Sequence, residues 1–135
     1  MPELLHGTAV WLRGQGLLLL GAPGSGKSTL AWDLMQDEGA MLIADDQVLL
    51  SAALEASAPV SLAGLLEIRP FGAVRVPYRR AVTVTAVFEL TAAAGDARLL
   101  DAPSSWRGVP HWQLPRYTRA KRLVGCGLLT KLTYS

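Results

Sequence analysis

Gly21-Ala-Pro-Gly-Ser-Gly-Lys-Ser28 is the stretch on which the reading of this 135-residue chain turns. It fits the spacing G-x-x-x-x-G-K-[ST], a pattern that carries meaning when a strand enters it and a helix leaves it. Both flanks agree. Leu17-Leu-Leu-Leu20 is an apolar run that ends at Gly21, and Leu30, Ala31, Leu34 and Met35 then recur at helical spacing, with Asp33, Gln36 and Asp37 outside that stripe and Gly39 at the stop. The pattern predicts an amphipathic helix of about three turns. Glycines let successive backbone N–H groups point inward, and the helix N-terminus adds positive potential, so the segment reads as an anion cradle. Lys27 would reach the terminal phosphates and the Ser28 hydroxyl a Mg²⁺ ion. The expectation is an ATP site built from Gly21, Ala22, Pro23, Gly24, Ser25, Gly26, Lys27, Ser28 and Thr29.

Upstream, Thr8-Ala-Val-Trp-Leu12 is a second apolar run, joined to Leu17–Leu20 through the hairpin-like turn Arg13-Gly-Gln-Gly16. Downstream, Met41-Leu-Ile-Ala44 forms a third, and it ends in Asp45-Asp46 only seventeen residues after Ser28. That interval allows one helix and one return, which places the carboxylates beside the phosphate loop. Adjacent side chains alternate in direction on an extended backbone, so one carboxylate is free to take a proton while the other contacts metal. Ser51–Ala63, rich in Ala and Ser with Pro59 inside it, fits a loop, a short helix or a mobile segment. Leu65–Ile68 and Ala73–Val76 read as short strands, and Ala81–Leu90 is the longest β-like run. Ala92–Asp96 breaks it, and a basic amphipathic stretch from Arg119 to Leu132 closes the chain.

The length favours one domain over residues 1–135. A hydrophobic fraction of 50% and a charged fraction of 18% exclude disorder for most of it. No apolar run approaches the roughly 18 residues of a spanning helix, and the opening Met-Pro-Glu-Leu-Leu-His lacks the pattern of a secretion signal. With Cys126 as the lone cysteine, a reducing, cytoplasmic setting is expected. The net charge of +2 conceals a division: residues 1–67 carry eight acids against two bases, and residues 68–135 three acids against eleven bases. The basic half matches no nucleic-acid module, which leaves partner docking, subunit contact in a homo-oligomer, or a solvated face that complements the acidic half.

In order, His6-Gly7, Gly21–Ser28, Ala44-Asp45-Asp46 and Leu66-Glu-Ile-Arg69 closely resemble the kinase domain of HPr kinase/phosphorylase, the bacterial enzyme that phosphorylates a serine of the phosphocarrier protein HPr. Glu67-Ile-Arg-Pro-Phe-Gly72 matches the family's Glu-Ile-Arg-x-x-Gly segment, with Pro70 and Phe71 where Gly-Leu is usual. The resemblance is good over residues 4–76 and is closest to short forms that lack the N-terminal domain. It implies an α/β fold, with a P-loop core in a mixed β-sheet flanked by helices. It also implies a protein serine kinase of phosphotransferase-system regulation that uses ATP and Mg²⁺ on an HPr-type protein. By the same resemblance Asp45 accepts the serine proton, Lys27 stabilises the transferred phosphoryl group and His6 stands near it. Ser28 and Glu67 hold Mg²⁺, and Arg98 matches the family's catalytic arginine; beside the resemblance, the pairing of the two carboxylates makes Asp46 the further candidate for the metal. The family's later basic loop, tied to dephosphorylation, is reduced here to Leu114–Lys121, which leaves phosphorylase activity open. Two alternatives stand beside this reading: a P-loop kinase of small molecules with Asp45 or Asp46 on the metal, and a nucleotide-responsive regulatory domain without turnover.

Overall fold

The computed structural model describes residues 1–91, 102–125 and 129. Expectations for Ala92–Asp96, Arg98, Cys126 and Lys131, and for most of the tail beyond Gly125, lie outside the described residues. The opening elements are β1 (Glu3–His6), β2 (Thr8–Leu12) and β3 (Gln15–Gly21). Helix α1 (Lys27–Glu38) follows, then β4 (Met41–Ala44) and β5 (Gln47–Leu50). The undecided Ser51–Ala63 stretch holds a strand, β6 (Glu55–Ser57), and a 3₁₀ turn over Val60–Leu62. β7 (Leu65–Ile68) and β8 (Gly72–Arg75) form a separate two-stranded hairpin. β9 (Ala81–Leu90), β10 (Ser104–Trp106), β11 (Val109–Leu114) and α2 (Ala120–Gly125) complete the chain.

The remaining described strands form one mixed sheet in the order β1-β5-β6-β9-β3-β2-β4, with β11 also on β9 and β10 on β11. β3 pairs in parallel with β9, which pairs in parallel with β11, while β2 runs antiparallel to both β3 and β4. The carboxyl ends of β3, β4, β9 and β11 therefore lie along one edge, where α/β sheets bind ligands. The expected strand–helix–strand unit differs in one respect. β4 does not neighbour β3; the buried β2 stands between them, because its two edges satisfy both strands at once.

Alternation along the strands explains the two cores. Leu17 and Leu19 face α1, where they meet Leu30, Leu34, Phe88 and Leu114, and Leu18 faces the opposite cluster with Ile43, Val48 and Val87. A strand covered on both faces reads as a continuous apolar run, which is why Leu17–Leu20 shows no polar alternation. Helix α1 ends as its sequence predicts: Gly39 adopts a left-handed φ of 76°, and the Ala40 amide donates to the Leu34 carbonyl at 3.2 Å.

Asp33 lies outside the apolar stripe of α1, as its spacing predicts, yet it is only 8% exposed. Its carboxylate accepts two hydrogen bonds from the Arg119 guanidinium, at 3.0 and 3.1 Å, and one from the Ala120 amide at 2.6 Å. α1 thereby supplies the acceptor that the first turn of α2 needs. The basic stretch from Arg119 is thus tied into the fold at its first residue, whose side chain pairs with Asp33 while staying 58% exposed. Arg107 is committed in the same way, making a bidentate pair with Glu3 at 3.0 Å.

Burial pushes the Asp33 carboxyl upward, but the Arg119 hydrogen bonds, the Ala120 amide and the Arg119 charge outweigh it and hold it below the usual aspartate value. Asp33→Ala should lower stability by about 2 kcal/mol, because the buried Ala120 amide loses its acceptor. Urea unfolding at neutral pH measures this. A carboxyl held below its unfolded value contributes fully above that value and loses its contribution as the pH falls through the folded one. The gap between wild type and variant should therefore close below about pH 4.

Candidate functional site

The loop between β3 and α1 is shaped by left-handed glycines, with φ of 79° at Gly24 and 100° at Gly26. Gly21 has no room for a side chain, and Gly26 is crowded by Tyr117. A Cβ on Gly21 would lie 2.5 Å from Ser25 Oγ and 2.7 Å from the Leu90 carbonyl oxygen; one on Gly26 would lie 3.1 Å from Tyr117 Cα. The Ser25 amide donates to the Ala22 carbonyl at 3.1 Å, and the Ser25 carbonyl accepts from the Tyr117 amide at 2.9 Å. Lys27 folds over the loop, its Nζ donating to the Gly21 carbonyl at 2.8 Å and the Ala22 carbonyl at 3.1 Å. Burial pushes the Lys27 ammonium below the ordinary lysine value, with the Asp45 and Asp46 charges pulling the other way. A half-buried ammonium at the head of a helix is a strong attractor for an anion.

Asp45 follows β4 and is 7% exposed. Its Oδ1 accepts from Ser28 Oγ at 2.7 Å and from Thr8 Oγ1 at 2.8 Å, and its Oδ2 accepts from the Glu67 amide at 3.0 Å. One carboxylate thus ties together β2, α1, the end of β4 and β7. Asp46, which is exposed, sits at φ 68° and is spanned by a hydrogen bond from the Gln47 amide to the Asp45 carbonyl at 2.8 Å. This is a γ-turn of the rarer hand, a sparsely populated conformation of the kind that clusters at functional sites. It turns the Asp46 side chain away from its neighbour and into the cleft.

The cleft has a volume of about 330 Å³ and is lined by Pro23, Gly24 and Gly26 of the loop, by Lys27, Ser28 and Thr29, and by Asp45, Asp46 and Glu67, while Gly21, Ala22 and Ser25 of the expected loop residues are not part of its lining. Those expected residues are brought together. His6 is not: it is exposed at the end of β1, opposite Gln47, and does not line the cleft. Arg98 lies outside the described residues. Thr8, Arg69 and Tyr117 also line the cleft, though none of them is among the expected site residues. Thr8 sits in an apolar run with no signal of its own, Arg69 lies in the Glu67–Gly72 segment, and Tyr117 is the aromatic of the basic tail. Among the described residues no cluster of three His, Cys, Asp or Glu is arranged as a metal cage. Hard oxygen donors facing the glycine loop nevertheless fit Mg²⁺, which takes only one or two carboxylates where phosphates complete its shell.

The family model described as HPr Serine kinase C-terminal domain matches residues 2–88. Among curated proteins, the HPr kinase/phosphorylase of Clostridium tetani is 40% identical over 80 residues, which is 56% of this chain and 26% of that protein. That of Lactobacillus acidophilus is 42% identical over 76 residues, or 53% of this chain and 23% of that protein. The match thus spans about a quarter of the length of these relatives. A solved structure, the Hpr(Ser) kinase/phosphatase from Coxiella burnetii, superposes with a TM-score of 0.81 over 98% of this chain and 91% of that one, at 21% identity. That likeness is one of fold, and it bears out the mixed α/β sheet. No helix among the described residues is long and apolar enough to cross a membrane. Residues 2–88, which hold the glycine loop, α1 and all the carboxylates of the cleft, make this chain a member of the HPr serine kinase C-terminal domain family.

Proposed function

We propose that this chain is an ATP-dependent kinase that transfers the γ-phosphoryl group to a serine hydroxyl of an HPr-type phosphocarrier protein in the cytoplasm. The observation that carries the proposal is the convergence of Lys27, Ser28, Asp45, Asp46 and Glu67 on the one cleft at the head of α1. In the transfer a bond forms between serine Oγ and the γ-phosphorus, the bond from that phosphorus to the β,γ-bridging oxygen breaks, and ADP leaves. The hydroxyl proton passes to a carboxylate. Little covalent chemistry is asked of the protein, so positioning and charge compensation dominate.

The loop amides and Lys27 would bind and orient the phosphates, and Lys27 would offset charge on the equatorial oxygens. Ser28, Asp46 and Glu67 would hold Mg²⁺, which when bound neutralises phosphate charge. Asp45 would accept the serine proton. His6, one strand end away from the cleft, would come near the reaction only from its rim, and a role for Arg98 follows from the family resemblance alone.

The 2.7 Å contact between Ser28 Oγ and Asp45 Oδ1 favours a second division of labour. Asp45, buried and joined to the loop serine, stands where a metal-organising carboxylate stands in P-loop enzymes. The exposed Asp46 would then take the proton. This second assignment suits a small-molecule acceptor as well as a protein one.

Calorimetry and phosphate-transfer assays separate these possibilities. Lys27→Ala should weaken Mg·ATP binding at least about tenfold, since a hydrogen-bonded charge is lost; unchanged affinity would remove the loop as the nucleotide site. Asp45→Asn should bind Mg·ATP normally and lose transfer if Asp45 is the base. Weakened Mg²⁺-dependent binding in Asp45→Asn, with Asp46→Asn as the transfer-dead variant, would establish the second assignment. Mapping of a new phosphoserine on added HPr-type protein tests the acceptor, and nucleotide binding without transfer to any acceptor would favour a regulatory domain.

A further inference from the structure

We infer that Tyr117 is the platform on which the base of a bound nucleoside triphosphate stacks. The inference rests on the nucleotide reading above and adds the part of the ligand that the loop cannot recognise. Tyr117 is 64% exposed, although it lines the cleft and abuts the loop. Its backbone adopts φ 62°, a left-handed conformation that a bulky side chain seldom takes. Such backbone strain persists only where surrounding structure enforces it, and it gathers at ligand sites.

The enforcement is visible on both sides of the residue. The Tyr117 amide donates to the Ser25 carbonyl at 2.9 Å, and Thr118 Oγ1 and the Thr118 amide both donate to the Pro115 carbonyl, at 2.6 and 3.3 Å. Two residues on, Arg119 and the Ala120 amide are clasped by Asp33 of α1. The ring is therefore held beside Gly26, where a Cβ would stand 3.2 Å from Tyr117 Cδ1. Gly26 leaves room for the ring to lie against the loop.

Topology says which end of the nucleotide meets the ring. β3 feeds the loop; β4 and its carboxylates stand two strands away on one side, and β11, whose end leads to Tyr117, stands two strands away on the other. Asp45, Asp46, Glu67 and Arg69 occupy the first side, where a terminal phosphate and its acceptor must meet a base and a metal. A triphosphate lying along the loop with its terminal group toward those carboxylates leaves its nucleoside on the Tyr117 side. An exposed aromatic ring offers a π-face to any purine or pyrimidine without reading its hydrogen-bonding edge.

The test compares Mg·ATP with Mg·tripolyphosphate, which has the phosphates but no nucleoside, by calorimetry on the full chain. Tyr117→Asn and Tyr117→Gly both remove the ring and tolerate the left-handed backbone; Tyr117→Phe keeps the π-face. Loss of the ring should weaken Mg·ATP about tenfold or more, leave Mg·tripolyphosphate unchanged, and be rescued in Tyr117→Phe. Unchanged ATP affinity in both ring-less variants would overturn the inference and leave the nucleotide site standing. Equal weakening of both ligands would also overturn it, since Tyr117 would then act only by bracing the loop. If the wild-type chain bound neither Mg·ATP nor Mg·tripolyphosphate in measurable amount, the nucleotide reading itself would fall.

Discussion

The carboxylate of Asp45 is the point on which the site is assembled. It gathers the Thr8 hydroxyl of β2, the Ser28 hydroxyl of α1 and the Glu67 amide of β7 within 3.0 Å. A nearly buried carboxylate needs such donors, because an unpaired charge away from water is costly. Meeting that need brings the sheet, the helix that carries the glycine loop and the small β7–β8 hairpin to one place. Glu67 and Arg69 reach the cleft because the backbone of β7 is fastened there. Structural satisfaction and the chemistry proposed for the cleft thus draw on the same oxygen atoms.

A second clasp works at the other flank of the loop. Asp33 lies on α1, more than a turn beyond Ser28, and receives Arg119 and the Ala120 amide, so the segment that leaves β11 is held against the same helix. The Tyr117 amide then closes on the Ser25 carbonyl. The loop is gripped from both sides, by Asp45 through Ser28 and by the β11–α2 connection through Ser25. The divided charge of the chain gains a partial explanation here. Glu3 and Asp33 of the acidic half pair with Arg107 and Arg119 of the basic half, while Arg79 lies over the Trp11 ring at 4.3 Å. Part of that asymmetry is intramolecular complementarity rather than a surface offered to a partner.

Legibility in the sequence follows the range of the interactions involved. β2, β3, α1, β4 and β9 are readable because their hydrophobic periods and their turn glycines are local, and Ala81–Leu90 matches its strand at both ends. β1 and the β10–β11 hairpin carry no such local signal. β1 is a mostly exposed edge strand held by backbone pairing to β5, and in the hairpin the trailing sequence Val109-Pro-His-Trp-Gln-Leu114 draws its stability from a parallel partner far back in the chain. Asp33 misleads for a related reason. Its place off the apolar stripe is correct by periodicity, but a residue 86 positions away covers it.

The sequence by itself determined the glycine loop, its entering strand and departing helix, and the approach of an acidic pair, since each depends on neighbours within one supersecondary unit. Left-handed glycines, a helical apolar stripe and a strand run all act over a few residues. Tertiary structure alone decided that β2 would separate β3 from β4, that Asp45 rather than Asp46 would join Ser28, and that Tyr117 would stand at the rim of the cleft while His6 stayed out of its lining. Those outcomes depend on which strand edges remain unpaired and which buried oxygens require donors. No local pattern encodes them, because the groups that satisfy each requirement meet only when the sheet has formed.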